Sequence, residues 1–278
     1  MKFILVIIAS LFLCTVVNGQ DYSKLKQADE LYCNDDKSDL VLEALEECLK
    51  DSSYSRTDLG YVHYFMGDVY YNREEYEKAI IQFKASLEFG IYPIEDYERK
   101  CHLGSMPWRF IRNERAINIG RNFMNLGELD SAEFWFHQAK NKYKSGGCGL
   151  VMTRHYYRVD IEQIKLFLVK GDTISAQNRL IDRFFYYSEP EMLHKILLSK
   201  YTQEEIETEL LKSIQNIKVH PSDSEYYIFT FFHHLVKQRL NRVTIEKQRK
   251  WINDDPSVRL LLNLPPMTRD WGNWDDED

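Results

Sequence analysis

Between Gly60 and Pro93, small and apolar residues recur at intervals of three and four, the spacing of helices with one buried face. Met66, Gly67 and Tyr70 fall on a first helix, and Ala79, Phe83 and Ser86, at i, i+4 and i+7, fall on a second. Asn72-Arg73-Glu74-Glu75-Tyr76 between them is short and polar, a turn that lets the two helices run antiparallel. The same set returns 53 positions later, where Gly120, Phe123, Leu129, Ala132, Phe136 and Ala139 answer Gly67, Tyr70, Tyr76, Ala79, Phe83 and Ser86. Six matches at one offset define an internal repeat. The physical reason for the small residues is contact distance: packed helices lie roughly 8–10 Å apart, and Gly or Ala at the crossing brings the backbones close while aromatics fill the adjacent gaps. A weaker third copy follows 44 positions on, with Phe167, Gly171, Ala176 and Leu180 answering Phe123, Gly127, Ala132 and Phe136. There Ile164 stands in place of Gly120 and Arg183 in place of Ala139, which removes the reason for a close helix approach.

The flanking segments continue the helical pattern. Residues 23–33 and 39–49 read as two helices, the second carrying Leu40, Leu42, Leu45 and Leu49 around Ala44 and Cys48, and together they fit a degenerate first repeat. An insertion at 94–112, holding Gly104, Pro107 and Trp108, separates the two good copies and is in part loop. Residues 189–199, 202–217, 222–240 and 244–252 have helical periodicity. Thr202 with Glu205, and Ser222 with Glu225, read as capping boxes. Tyr227, Ile228, Phe229, Phe231 and Phe232 make a stretch so apolar that a helix there is buried all round. A short turn from Pro256 covers 258–262, and 265–278, with Trp271 and Trp274, is an acidic tail too polar to fold alone.

Met66-Gly67-x-x-Tyr70 and Ala79-x-x-x-Phe83 resemble the tetratricopeptide repeat, whose period is about 34 residues. The best copies are 60–93 and 113–146, and the weaker is 157–190. The resemblance implies an all-α, tetratricopeptide-like helical-repeat solenoid over residues 20–264, its antiparallel helix pairs winding into a right-handed superhelix, with the helices of 189–264 closing it. It also implies a concave, protein- or peptide-binding surface lined by the first helices. The family's groove positions fall on Tyr61, Tyr64, Asp68, Tyr71 and Asn72 in the first copy and on Glu114, Ile117, Arg121, Met124 and Asn125 in the second. In the third they fall on Arg158, Ile161, Lys165, Leu168 and Val169. Tyr, Met, Arg and Asn together suit a peptide-binding face, and Tyr64, Tyr71, Arg121 and Asn125 are expected to carry most of the affinity. Chaperone-binding members of the family clamp a carboxylate with Lys and Asn; here the Lys position holds Tyr64 and Ile117, so that ligand class is not expected.

The start of the chain changes where this binding is expected. Met1-Lys2 precedes an apolar run from Phe3 to Val17, shorter than the ~20 residues that span a bilayer, and Val17-Asn18-Gly19 supplies small residues for cleavage. Residues 1–19 are therefore read as a cleaved signal peptide, giving a secreted or periplasmic protein with no stable membrane insertion. Cys14 follows Leu13, where a lipoprotein signal needs a small residue. The charge of −7, with 28% charged residues and no basic patch, argues against nucleic acid as a partner.

Four cysteines follow the signal: Cys33, Cys48, Cys101 and Cys148. Cys101 precedes the second repeat's first helix and Cys148 follows its second, neighbouring ends of an antiparallel pair, so a Cys101–Cys148 disulfide is expected. Cys33 and Cys48 are placed about 15 Å apart by helical rise. Phosphate-binding Gly-rich loops, Gly-x-Ser-x-Gly elbows and His-Glu-x-x-His are absent from the sequence, Gly146-Gly147-Cys148-Gly149 reads as a helix stop, and the adjacent His233 and His234 point about 100° apart. Hence no catalytic residue, cofactor or metal is expected. An exported peptide-binding scaffold is the leading reading; the alternatives are an envelope assembly subunit and an enzyme or small-ligand receptor framed by the stack.

Overall fold

The computed structural model describes residues 22–89, 111–143, 149–183, 190–239 and 255–264. The described residues are mostly helical, with one three-stranded sheet, and the chain divides into two compact units, Met1–Val159 and Asp160–Asp278.

The first unit is built from helix pairs: α1 (Ser23–Asn34) with α2 (Asp39–Lys50), α3 (Arg56–Asn72) with α4 (Tyr76–Phe89), and α5 (Ile111–Asn125) with α6 (Leu129–Asn141). Each of these helices packs on the next. Helix starts are fixed locally. Ser38 accepts from the Leu40 amide at the start of α2, and Ser55 and Asp58 form a reciprocal capping box at the start of α3. Leu25 and Ala28 of α1 and Val41, Leu45 and Cys48 of α2 close over Val62, Phe65 and Val69 of α3, whereas Leu40 lies exposed. The expected first pair, poor in sequence likeness, is thus a helix pair in structure.

Gly67 and Gly120 mark the helix crossings. A Cβ added at Gly67 would stand 2.6 Å from the Phe83 ring, and one at Gly120 would stand 2.5 Å from the Phe136 ring, closer than real side chains come. Both rings are fully buried. The turns repeat as well. The Glu75 amide donates to the Tyr70 carbonyl at 2.9 Å, Glu128 to Phe123 at 2.9 Å and Asp172 to Phe167 at 2.8 Å. The residue before each donor is left-handed: Glu74 at φ 63°, Gly127 at 78° and Gly171 at 76°. This six-to-one bond is the usual way a helix ends on a residue with positive φ.

The third of these turns belongs to the second unit, where α7 (Gly149–Val169) ends and α8 (Thr173–Arg183) begins. Here Ile164 and Leu180 are buried in one core with Ala176, so a branched residue at the glycine position is matched by a smaller one at the phenylalanine position. That core continues into α9 (Pro190–Leu198), α10 (Gln203–Gln215) and α11 (Pro256–Leu261). The Thr202–Glu205 capping box forms as predicted and starts α10.

The predicted helix over 222–240 is instead a hairpin. Strands β1 (Lys218–His220), β2 (Asp223–Phe231) and β3 (His234–Arg239) form an antiparallel sheet in that order, and no helix starts at Ser222. The physical reason lies in residues 229–231: Phe229 and Phe231 are buried and Thr230 between them is exposed, a period of two that aromatic and β-branched residues favour. The connection is two residues long, and both, Phe232 at φ 44° and His233 at 65°, lie in the left-handed region that such a turn requires. Phe232 stacks on Tyr201 at 4.3 Å, a contact that holds the strained turn against the helices.

Residues 1–21, most of the insertion (its last two residues already belong to α5), the segment 244–252 and the tail 265–278 lie outside the described residues. Among those described, no helix is long and apolar enough to cross a membrane.

Equilibrium unfolding checks the repeat geometry. Gly120→Ala is expected to lose about 1–3 kcal/mol by overpacking against Phe136. Glu74→Gly should gain about 1 kcal/mol by relieving a left-handed residue, and Gly127→Ala should lose a similar amount. An unchanged midpoint in Gly120→Ala would contradict the ring contact.

Candidate functional site

In the first unit, polar residues gather on the first helix of each pair. Glu114, Asn118 and Arg121 stand at i, i+4 and i+7 on α5 and so share one face. The Asn118 side-chain amide donates to Asp68 on α3 at 3.3 Å, and its oxygen accepts from Arg121 at 3.0 Å. Arg121 also donates to Glu114 Oε1 at 3.4 Å, and Arg158 on α7 donates to the same oxygen at 2.7 Å. The chain Asp68–Asn118–Arg121–Glu114–Arg158 therefore crosses three successive first helices by direct contacts. Glu114 is buried with its side chain only 4% exposed, while both guanidiniums are 28% exposed, so the network has a dry base and a wet rim.

Beneath this rim, Arg115 is fully buried. It donates to the Ser86 carbonyl at 2.6 Å and lies over the Tyr64 ring at 5.7 Å. Ser86 itself donates to the Gly60 carbonyl at 2.6 Å, which explains why a hydroxyl is accepted at a buried repeat position. Burial first, and then the charges of Asp68 and Glu114, hold the Tyr64 phenol well above its usual range, so the hydroxyl near Asn118 stays neutral. On α1, burial and secondly Asp68 push the Tyr32 phenol up to about 12.

Four of the predicted groove residues do not line a surface, among them Glu114 at the buried base of the network. Tyr61 packs against Phe65 in the core with α1 and α2, Tyr64 is enclosed beside Phe83, and Ile117 is fully buried. The reason is that neighbouring helices cover the N-terminal halves of α3 and α5. Asn72 is half-buried and engaged, donating to Tyr32 at 3.0 Å and to Asp36 at 2.8 Å, so it ties α3 to the turn of the first pair. Asp68, Tyr71, Arg121 and Met124 remain partly exposed and Asn125 is exposed. Of the third-copy positions, Arg158 joins the network, Ile161 and Leu168 pack on the core of the second unit, and Lys165 and Val169 are exposed. Asn118, the bridge of the network, was missed by sequence; its position one turn after Glu114 and just short of one before Arg121 was the available signal.

Cys33, at the end of α1, is disulfide-bonded, and Cys48 is a free, buried thiol near Tyr54 Oη at 3.6 Å. Burial raises the Cys48 thiol above its usual range. Cys101 and Cys148, expected to pair, lie outside the described residues. Among the described residues no cluster of His, Cys, Asp and Glu is arranged to hold a metal ion. Comparison with protein-family models, with curated proteins and with solved structures gives no match for this chain.

Glu114→Ala is expected to cost about 3 kcal/mol, because it strips the shared acceptor from two guanidiniums at a buried site, whereas Arg121→Ala should cost about 1 kcal/mol or less. Denaturant melts distinguish the two, and equal losses would contradict the dry-base, wet-rim arrangement. Alkylation followed by non-reducing peptide mapping should find Cys33 in a disulfide and Cys48 modified only after unfolding. A Cys33 that alkylates freely, or a Cys48 that reacts as fast folded as unfolded, would contradict this placement.

Proposed function

We propose that this chain is an exported scaffold that binds protein or peptide segments on the first-helix face of a tetratricopeptide-like stack. The observation that carries the reading is the polar network running from Asp68 through Asn118, Arg121 and Glu114 to Arg158, with Tyr71, Met124 and Asn125 partly open to solvent on the same two helices. A row of amide and guanidinium donors beside aromatic and thioether surface can take both the backbone and the side chains of a bound segment. The recurrence of the Gly–Phe crossing and of the left-handed turn supports the repeat reading. The apolar run at 3–17 and the Cys33 disulfide support export to an oxidising space, where disulfides persist.

Selection of binders from a random peptide library on the chain from residue 20 onward tests this. The burial pattern shifts the expected hot spot from Tyr64 to Tyr71, Arg121 and Met124. Replacing each by Ala should lower the affinity of a selected peptide by about 2 kcal/mol, roughly thirtyfold, while the folded state holds. Undiminished binding in all three variants would overturn the assignment of this face.

A further inference from the structure

We infer that the outer face of the sheet in the second unit is the docking site of the chain's own acidic, tryptophan-bearing segment, residues 265–278. Strand register places Lys218, Ile228 and Lys237 in one row across the three strands, with the Thr230–Leu235 pair beside it. The opposite face, carrying Phe229, Phe231 and Val236, is buried in the core, so this row is the sheet's other side. Leu235 is 62% exposed there. Between this face and the end of α10 lies a cleft of about 410 Å³, lined among others by Lys212, Asn216, Lys218, Ile228 and Leu235. An apolar floor edged by Lys212 and Lys218, with Glu209 pairing Lys212 at 3.5 Å and Lys237 in the same strand row, fits an aromatic segment that carries negative charge.

Residues 265–278 have that chemistry. Trp271 and Trp274 are followed by Asp275-Asp276-Glu277-Asp278, and Asp270 against Arg269 leaves the segment strongly acidic. Length and origin agree. The Gln203 side chain donates to the Leu261 carbonyl at 2.8 Å, so α11 ends beside the first turn of α10. Lys212 lies nine residues further along that helix, or about 14 Å at 1.5 Å per residue. The seven residues from Leu264 to Trp271 reach up to about 23–25 Å when extended, and Pro265-Pro266 favour an extended backbone. That length is enough to span the distance from the end of α11 to the cleft. A neighbouring cleft at the hairpin turn adds Glu204 and Glu205 to the Glu209 that both clefts share, and has no lysine in its lining, so it suits an acidic segment less. Tethering raises the effective concentration to the millimolar range, so a weak contact suffices. The inference is independent of the peptide-binding reading.

Zero-length carbodiimide cross-linking of the chain from residue 20 onward, read by mass spectrometry on an equal mixture of isotopically light and heavy protein, tests it. Same-chain links from Asp275–Asp278 to Lys212, Lys218 or Lys237 are expected. They should fall several-fold in Trp271→Ala/Trp274→Ala, and again between ~0.1 M and ~1 M salt, as the Debye length shrinks from about 10 Å to about 3 Å. Hydrogen exchange adds a readout free of lysine chemistry: amides of β3 should exchange several-fold faster in the tryptophan double variant. Links that are mainly between light and heavy chains would assign the face to a second copy and overturn the proposal. So would links directed chiefly to other lysines, or unchanged exchange in β3 together with unchanged linking in the double variant.

Discussion

Two glycines, Gly67 and Gly120, each give up a side chain so that a phenylalanine ring from the partner helix can lie against bare backbone. That contact sets the distance and rotation within each pair, and the rest of the first unit follows from it. With Phe83 and Phe136 drawn to the crossing, Ala79 and Ala132 fall into the core a turn away, and the first helices present their remaining faces to the neighbouring pairs. The pair formed by α7 and α8 lacks this contact: Ile164 and Leu180 stand at the matching positions and are both buried in one core. A crossing is sensitive to the size of both residues that meet there, because overpacking and cavities both destabilise.

The faces left over by this packing are unusually polar for buried surface. Asn113, Glu114, Arg115, Asn118 and Asn122 are all buried on α5, a helix whose chemistry would suit solvent were it not enclosed. Groups of this kind are stable inside only when they are bonded, and their bonds are directional. Arg115 is held by the Ser86 carbonyl of α4, Asn118 by Asp68 of α3, and Glu114 by Arg158 of α7. The network therefore acts as a register lock between pairs. The same groups, where they emerge at Arg121 and Arg158, supply the donors that the proposed binding face uses.

Much of this was legible in the sequence, since the repeat offset exposed Gly67, Gly120 and their phenylalanines, and both helices of the first pair were found with boundaries within a residue. Sequence position alone did not reveal how far a neighbour covers a face. Tyr61, Tyr64 and Ile117 sit on the groove stripe by periodicity and yet are enclosed, because only contact between pairs decides burial. The hairpin was hidden for another reason. Residues 226–232 are so uniformly aromatic that helical and strand periods fit almost equally, and the turn uses Phe232 and His233 where glycine or asparagine would have announced it. Glu74 conceals its left-handed turn in the same way, although Gly127 and Gly171 at the matching positions reveal theirs.

The shared crossing is tested most directly by a double-mutant cycle on Gly120 and Phe136, with Gly120→Ala, Phe136→Leu and the pair of changes compared by denaturant unfolding. Because Ile164 with Leu180 shows a larger first-helix residue matched by a smaller partner, Leu at 136 should make room for the added methyl. The double variant is then expected to be more stable than the sum of the single losses by about 1 kcal/mol or more, a coupling well above the error of additivity. Strictly additive losses would show that the glycine and the ring do not meet, and would contradict the repeat geometry on which the proposed binding face rests.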